Sequence, residues 1–126
     1  MVPREQECPD TGYAPIDEDH RRLLVLIREL IDAVNAAAPA RAKLAMIDVE
    51  GQVAAHFAHE ERLMKESTFP NLARHKEAHD TFVADLRKFG TAGFRRWTVG
   101  RLVEWFRFHV VANDVDLARL LRHWRK

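Results

Sequence analysis

The chain has 126 residues, and its 20 basic and 19 acidic side chains leave a formal net charge of +1. This length predicts a single domain over residues 1–126, and a charge so near zero argues against nucleic-acid binding. The single cysteine excludes an internal disulfide and any thiolate-rich metal site. Since there is neither a signal peptide nor a run of ~18–20 apolar residues, we expect a cytoplasmic protein that does not bind membranes.

The first fifteen residues contain three of the five prolines, a composition that predicts an irregular N-terminal arm over about residues 1–15. A first helix is predicted from Asp17, because apolar residues then recur at helical spacing. They are Leu23, Leu24, Ile27, Leu30, Ile31 and Val34. His20 lies on the same face, so we expect its imidazole to point into the core.

A second helix is predicted over residues 40–65, since Pro39 is tolerated only in the first turn of a helix. Its core stripe contains Val49, Val53 and Leu63. His56 and Glu60 lie in phase with this stripe and one helical turn apart. A buried imidazole and carboxylate cost several kcal/mol unless they have partners, which a metal ion would supply.

A third helix is predicted to begin within residues 67–70, where two hydroxyl side chains and a proline are typical of a helix start. Gly90 and Gly93 predict its end. Its core stripe is Leu72, His75, His79, Phe82, Leu86 and Phe89. Two histidines again occupy core positions.

A fourth helix is predicted over residues 95–122, with an irregularity in its core stripe. The two halves of the stripe are Val99, Leu102, Phe106 and His109, then Asp114, Leu117, Leu121 and Trp124. On a regular helix the five-residue step from His109 to Asp114 would leave the two side chains about 140° apart. One wide turn would align them, so we predict a π-type bulge or local strain there.

The four helices together direct seven metal-binding side chains inward, namely His20, His56, Glu60, His75, His79, His109 and Asp114. A lone histidine on an apolar face is usually an ordinary core residue, but seven such residues in phase form a specific signal. The sequence resembles the hemerythrin family, and its single-domain bacteriohemerythrins in particular, in segments 16–20, 56–64, 69–82 and 105–114. The resemblance implies an all-α, up-down-up-down four-helix bundle that holds two iron ions (Fe2+/Fe3+) and a bridging oxo or hydroxo group.

The resemblance also implies the role of each side chain in the site. His75, His79 and His109 would bind one iron, and His20 and His56 the other. Glu60 and Asp114 would bridge both, which leaves one open position, on the two-histidine iron, for dioxygen. The predicted apolar wall of the dioxygen pocket is Leu23, Phe57, Trp105, Phe106 and Val110.

The implied function is reversible dioxygen binding by a carrier, a store or a sensor rather than an enzyme, because these motifs supply no nucleophile or general acid. A di-iron enzyme acting on nitric oxide or peroxide is the alternative. A di-zinc or di-manganese hydrolase is a further one, since nitrogen-rich sites bind several divalent metals. A separate protein partner and the oligomeric state stay open.

Two histidines and two further positions depart from the pattern. His59 and His123 lie off the ligand spacing and are predicted to have no metal role. The N-terminal arm lacks the tryptophan that many bacterial family members have there. Leu117 occupies a position where many family members have a tyrosine.

Overall fold

The structure is a computed structural model that describes residues 10–91 and 96–124. The first nine residues of the predicted arm, Gly93 and Arg95 lie outside the described residues, as do the side chains of Phe89 and Val99. The helices are α1 (Ala14–Asn35), α2 (Pro39–Glu66), α3 (Leu72–Thr91), α4 (Arg96–His109), a π-helical turn (Val110–Asp114) and α5 (Val115–His123). Because α4, the π-helical turn and α5 follow one another without a gap, they form one long helix. The predicted all-α four-helix bundle is confirmed.

Two predicted helix starts differ from the structure. Helix α1 begins at Ala14 rather than near Asp17, because Pro15 fits the first turn and the carbonyl oxygen of Tyr13 accepts the amides of Ile16 and Asp17. The predicted start of the third helix within residues 67–70 is also wrong, since α3 begins at Leu72.

Ser67 explains the second difference. Its hydroxyl donates to the carbonyl oxygen of Leu63 at 2.7 Å, and its amide donates to the same oxygen. Ser67 therefore closes α2 instead of capping α3. Thr68 follows with a φ of 52°, a left-handed conformation that stops the helix.

The π-helical turn is present where the spacing of the core stripe predicts it. The amide of Val115 donates to the carbonyl oxygen of Val110, five residues back, so the α-helical hydrogen-bond ladder is interrupted. This wide turn brings His109 and Asp114 onto the same side of the helix.

Two apolar clusters lie on either side of a polar layer. The larger cluster, formed by all four helices, includes Leu23, Leu24, Val53, Phe82 and Phe106. The smaller cluster is Ile16, Leu63, Met64, Phe69, Leu117, Ala118 and Leu121. In sequence, His20 lies between Ile16 of the smaller cluster and Leu23 of the larger one, and His75 and His79 lie between Phe69 and Phe82 in the same way. The bundle therefore encloses the polar layer.

The described end of the arm is anchored beside the smaller cluster. The carboxylate of Asp17 accepts the amide and hydroxyl of Thr11 at 2.8 and 2.6 Å and the amide of Gly12 at 3.1 Å. Arg122 of α5 donates to the carbonyl oxygen of Thr11. Gly12 has a φ of 83°, and a Cβ atom there would lie 2.5 Å from the Arg122 Nη1 atom. The arm thus joins α1 to α5.

None of the described helices is long and apolar enough to cross a lipid bilayer.

Candidate metal centre

The structure brings all seven predicted side chains together in the polar layer. Each of them is at most 4% exposed. They form two overlapping groups, in each of which one ligand atom from every residue lies within 4.8 Å of the others. The first group is Glu60, His75, His79, His109 and Asp114, and the second is His20, His56, Glu60 and Asp114. Both carboxylates belong to both groups.

The two carboxylate oxygens of Asp114 face different groups of histidines. Its Oδ2 atom lies 2.8 Å from the Nε2 atom of His20 and 3.5 Å from that of His56. Its Oδ1 atom lies 3.1 Å from the Nε2 atom of His75 and 3.6 Å from that of His109. A carboxylate in this position can bind two ions at once.

Glu60 also lies between the two groups, but its two oxygens differ. The Oε1 atom lies 2.9 Å from the Nε2 atom of His79, 3.4 Å from that of His75 and 3.5 Å from that of His56. The Oε2 atom has no hydrogen-bond partner within the described part of the chain. One oxygen of Glu60 is therefore available to a partner other than the described side chains.

Three further buried nitrogen atoms of the centre's histidines are without a partner among the described residues, namely the Nδ1 atoms of His20 and His75 and the Nε2 atom of His109, and the last of these fits a metal ion. The Nε2 atom of His109 receives no hydrogen bond from the described residues. Burial lowers the pKa of His109 to about 4, so its ring is neutral at pH 7 and one of its two nitrogen atoms carries a lone pair. Buried polar atoms nearly always have partners, and a cation would satisfy this nitrogen and the Glu60 oxygen together.

The charges of Glu60 and Asp114 determine the protonation of two other histidines. Burial alone would lower the pKa of His56, but the charge of Glu60 and hydrogen bonds to Asp114 and Asp19 raise it to about 10. Burial likewise opposes protonation of His75, but hydrogen bonds to Asp114 and Glu60 raise its pKa to about 9. Without metal, protons on these rings compensate the buried negative charge.

The Nδ1 atoms of three histidines have side-chain neighbours that are not among the predicted site residues. Asp19 accepts a hydrogen bond from the Nδ1 atom of His56 at 3.0 Å, and Glu61 accepts one from that of His79 at 3.1 Å. The Nδ2 atom of Asn113 lies 3.4 Å from the Nδ1 atom of His109 and donates to its carbonyl oxygen. Hydrogen bonds from the ring N–H group to a carboxylate orient metal-binding histidines. The available signal was an acidic residue beside a ligand position, as in Asp19-His20 and Glu60-Glu61.

The residues predicted to line a dioxygen pocket surround the polar layer unevenly. Leu23, Phe106 and Val110 are at most 1% exposed, and Phe106 contacts His20 edge-on with ring centroids 5.4 Å apart. Phe57 instead stacks on His79 of the three-histidine group at 3.8 Å. Trp105 is half-buried and stacks on Phe82. The described ring contacts of Phe57 and Trp105 thus lie mainly on the side of the three-histidine group.

A surface cavity of about 380 Å³ between α3 and α4 was not predicted from the sequence. Its lining includes Trp105, Phe82, Asn113 and His109. Solvent can therefore approach the three-histidine group from this side, whereas the open position is expected on the other group. Periodicity could not reveal the cavity, because it gives the face of a helix and not the gap between two helices.

Comparisons with known proteins agree with this geometry. Residues 11–122 match the sequence profile of the hemerythrin HHE cation binding domain. A bacteriohemerythrin of Stenotrophomonas maltophilia (strain R551-3) is 30% identical over 67% of this chain and 55% of its own length. A hemerythrin-like protein of Naegleria gruberi is 32% identical over 87% of this chain and 86% of its own. The myohemerythrin of Riftia pachyptila is 30% identical over 82% of this chain and 80% of its own. The profile match spans all seven buried side chains.

Proposed function

This chain belongs to the hemerythrin family, and from that premise we propose that it binds dioxygen reversibly at a centre of two iron ions. His75, His79 and His109 would hold one ion, and His20 and His56 the other. Glu60 and Asp114 would bridge them. The observation that carries the proposal is the sharing of both carboxylates between two groups of buried histidines.

The donor set favours binding without further reaction. The five imidazoles are neutral ligands, and the two carboxylates are the only anions among the seven side chains. Two reduced irons bound there would supply the electrons that dioxygen accepts. Few anionic donors stabilise high oxidation states of iron less well, so this set favours reversible binding over cleavage of the O–O bond.

The apolar side chains beside the polar layer support the same function, and one of them, Phe106, contacts His20 of the two-histidine group. Leu23, Phe106 and Val110 are buried and belong to the larger apolar cluster. Such side chains keep water and protons away from a small bound ligand. None of the three carries an acidic group that could protonate the ligand and drive it onward.

The experiment is a cycle of oxygenation on protein reduced in the absence of air. We expect two irons per chain, and a visible absorption band that appears with dioxygen and disappears when dioxygen is removed, over repeated cycles. Glu60→Gln should lose iron because it removes a bridging charge, whereas Glu50→Gln, at an exposed position of the same helix, should retain it.

Two results would contradict the proposal. A preparation that binds one zinc per chain and takes up no iron would refute the di-iron centre. Sustained turnover of nitric oxide or hydrogen peroxide, with dioxygen never released intact, would instead assign the same site to an enzyme.

A further inference from the structure

Asp19 links a buried histidine of the centre to a histidine at the surface. Its Oδ2 atom lies 3.0 Å from the Nδ1 atom of His56 and 2.8 Å from the Nδ1 atom of His59. The side chains of Asp19 and His59 are 24% and 25% exposed, and that of His56 is fully buried. The three residues form one hydrogen-bonded series from solvent to the two-histidine group.

The chemistry of the carboxylate fixes the direction of both hydrogen bonds. An ionised carboxylate only accepts, so both imidazoles must present an Nδ1–H group to it. The Nε2 atom of His56 is thereby left for the centre, where it lies 3.5 Å from both Glu60 and Asp114. When the ring of His56 is neutral, Asp19 thus selects the tautomer in which His56 can act as a ligand.

His59 and His56 share a single oxygen atom of Asp19. Two donors on one acceptor atom divide its negative charge between them, so the bond to His56 is weaker than an undivided one would be. The strength of that bond matters, because a carboxylate on the far nitrogen raises the basicity of a metal-binding imidazole.

The three-histidine group offers an undivided counterpart. Glu61 accepts the Nδ1–H group of His79 at 3.1 Å through its Oε2 atom. In the part of the chain that the structure describes, no second side chain donates to this carboxylate. The two hydrogen bonds are of similar length, 3.0 and 3.1 Å, and the two groups differ in whether the accepting carboxylate oxygen has a second donor.

We propose that His59 is a positioning residue that limits, through Asp19, the electron donation of His56 to the iron that it binds. The inference rests on the proposed function and adds that the histidine ligands of the two irons differ in electron donation. Removing the donor at position 59 strengthens the bond between Asp19 and His56, which stabilises the ferric state. Removing the charge at position 19 weakens the bond, which stabilises the ferrous state.

The test compares variants whose effects have opposite signs. His59→Leu should lower the reduction potential of the iron-loaded protein and speed its oxidation by air. Asp19→Asn should raise the potential and weaken iron retention against a chelator about tenfold. His59→Gln retains a donor for Asp19 and should resemble the original protein. Glu61→Gln acts on the three-histidine group. In the double variant with His59→Leu, the shift in reduction potential should equal the sum of the two single shifts.

A measurement without iron separates this inference from the proposed function. In the metal-free protein, the proton NMR resonance of the His56 Nδ1–H group should move downfield in His59→Leu and stay in place in His59→Gln. If His59→Leu leaves that resonance unchanged, or if His59→Leu and Asp19→Asn shift the potential in the same direction, the inference is wrong. If the resonance moves but no iron is bound, the di-iron function fails and the link through Asp19 stands.

Discussion

At the scale of single residues, protons and metal ions compete for the same nitrogen atoms. His56 and His75 have pKa values of about 10 and 9 in the metal-free protein, so both are protonated at pH 7. Metal ligands must be deprotonated, and metal binding therefore releases protons. We expect the release of about two protons per chain at pH 7, measurable by calorimetry in buffers of different ionisation enthalpy.

The same two groups make the stability of the metal-free protein depend on pH. Their pKa values are raised above the unfolded value of about 6.5, so their contribution is complete below that pH and is lost as pH rises through about 9 and 10. The free energy of unfolding should fall between pH 7 and 10, while iron affinity rises. His123→Gln, at an exposed position, should leave both trends intact. Binding without proton release would contradict this account.

The sequence predicted which side chains point inward but not which atoms they meet. Helical spacing placed His56 and Glu60 on the core face, because the period of a helix determines the face of each residue. The partner of His56 on its other nitrogen is Asp19, which lies on a different helix. Such a pairing depends on the rotation and axial offset of two helices, and neither is encoded in the period of one of them.

At the scale of elements, the π-helical turn behaves as one inserted residue. Removing a residue from Val110–Asp114 would reduce the step from His109 to Asp114 to four residues, which is about 40° on a regular helix. The two side chains, and the apolar residues of α5 beyond them, would keep their face. The variant lacking Ala112 should therefore fold as a bundle and bind metal.

A deletion in a regular helix provides the matched comparison. Ala58 is exposed, as Ala112 is, but it lies between His56 and Glu60 on α2. Its loss would rotate Glu60 by about 100° relative to His56. That variant should lose the centre and unfold at a lower temperature. Equal damage from both deletions, measured by iron content and thermal unfolding, would show that the π-helical turn is not an accommodated insertion.

Helix boundaries were harder to predict than the π-helical turn. The π-helical turn changes the phase of a long apolar pattern, which is visible over many residues. The start of α3 depends on Ser67, whose hydroxyl suits the start of a helix as well as the end of one. In the structure its hydroxyl donates to the carbonyl oxygen of Leu63. Which of the two roles Ser67 takes depends on the path of the chain after α2.

At the scale of the whole molecule, the four-helix bundle was predictable because each helix carries its own core stripe. The division of the core into two clusters of unequal size was not. It follows from where the polar layer cuts across the bundle, close to the arm, the 67–71 turn and α5. The smaller cluster therefore closes one side of the centre with few side chains.

That unequal closure implies that the protein opens in parts rather than all at once. Without metal, the amide hydrogens of α5 should exchange with deuterium through a local opening, at lower free energy than those in the middle of α1 and α2. With iron bound, Asp114 would tie the start of α5 to the centre, and this difference should shrink. Hydrogen exchange followed by mass spectrometry measures both states, and equal protection of α5 and α2 in the metal-free protein would contradict the prediction. If α5 opens locally as predicted, the lifetime of the bound iron is determined by the fraying of one short helix and not by the unfolding of the bundle.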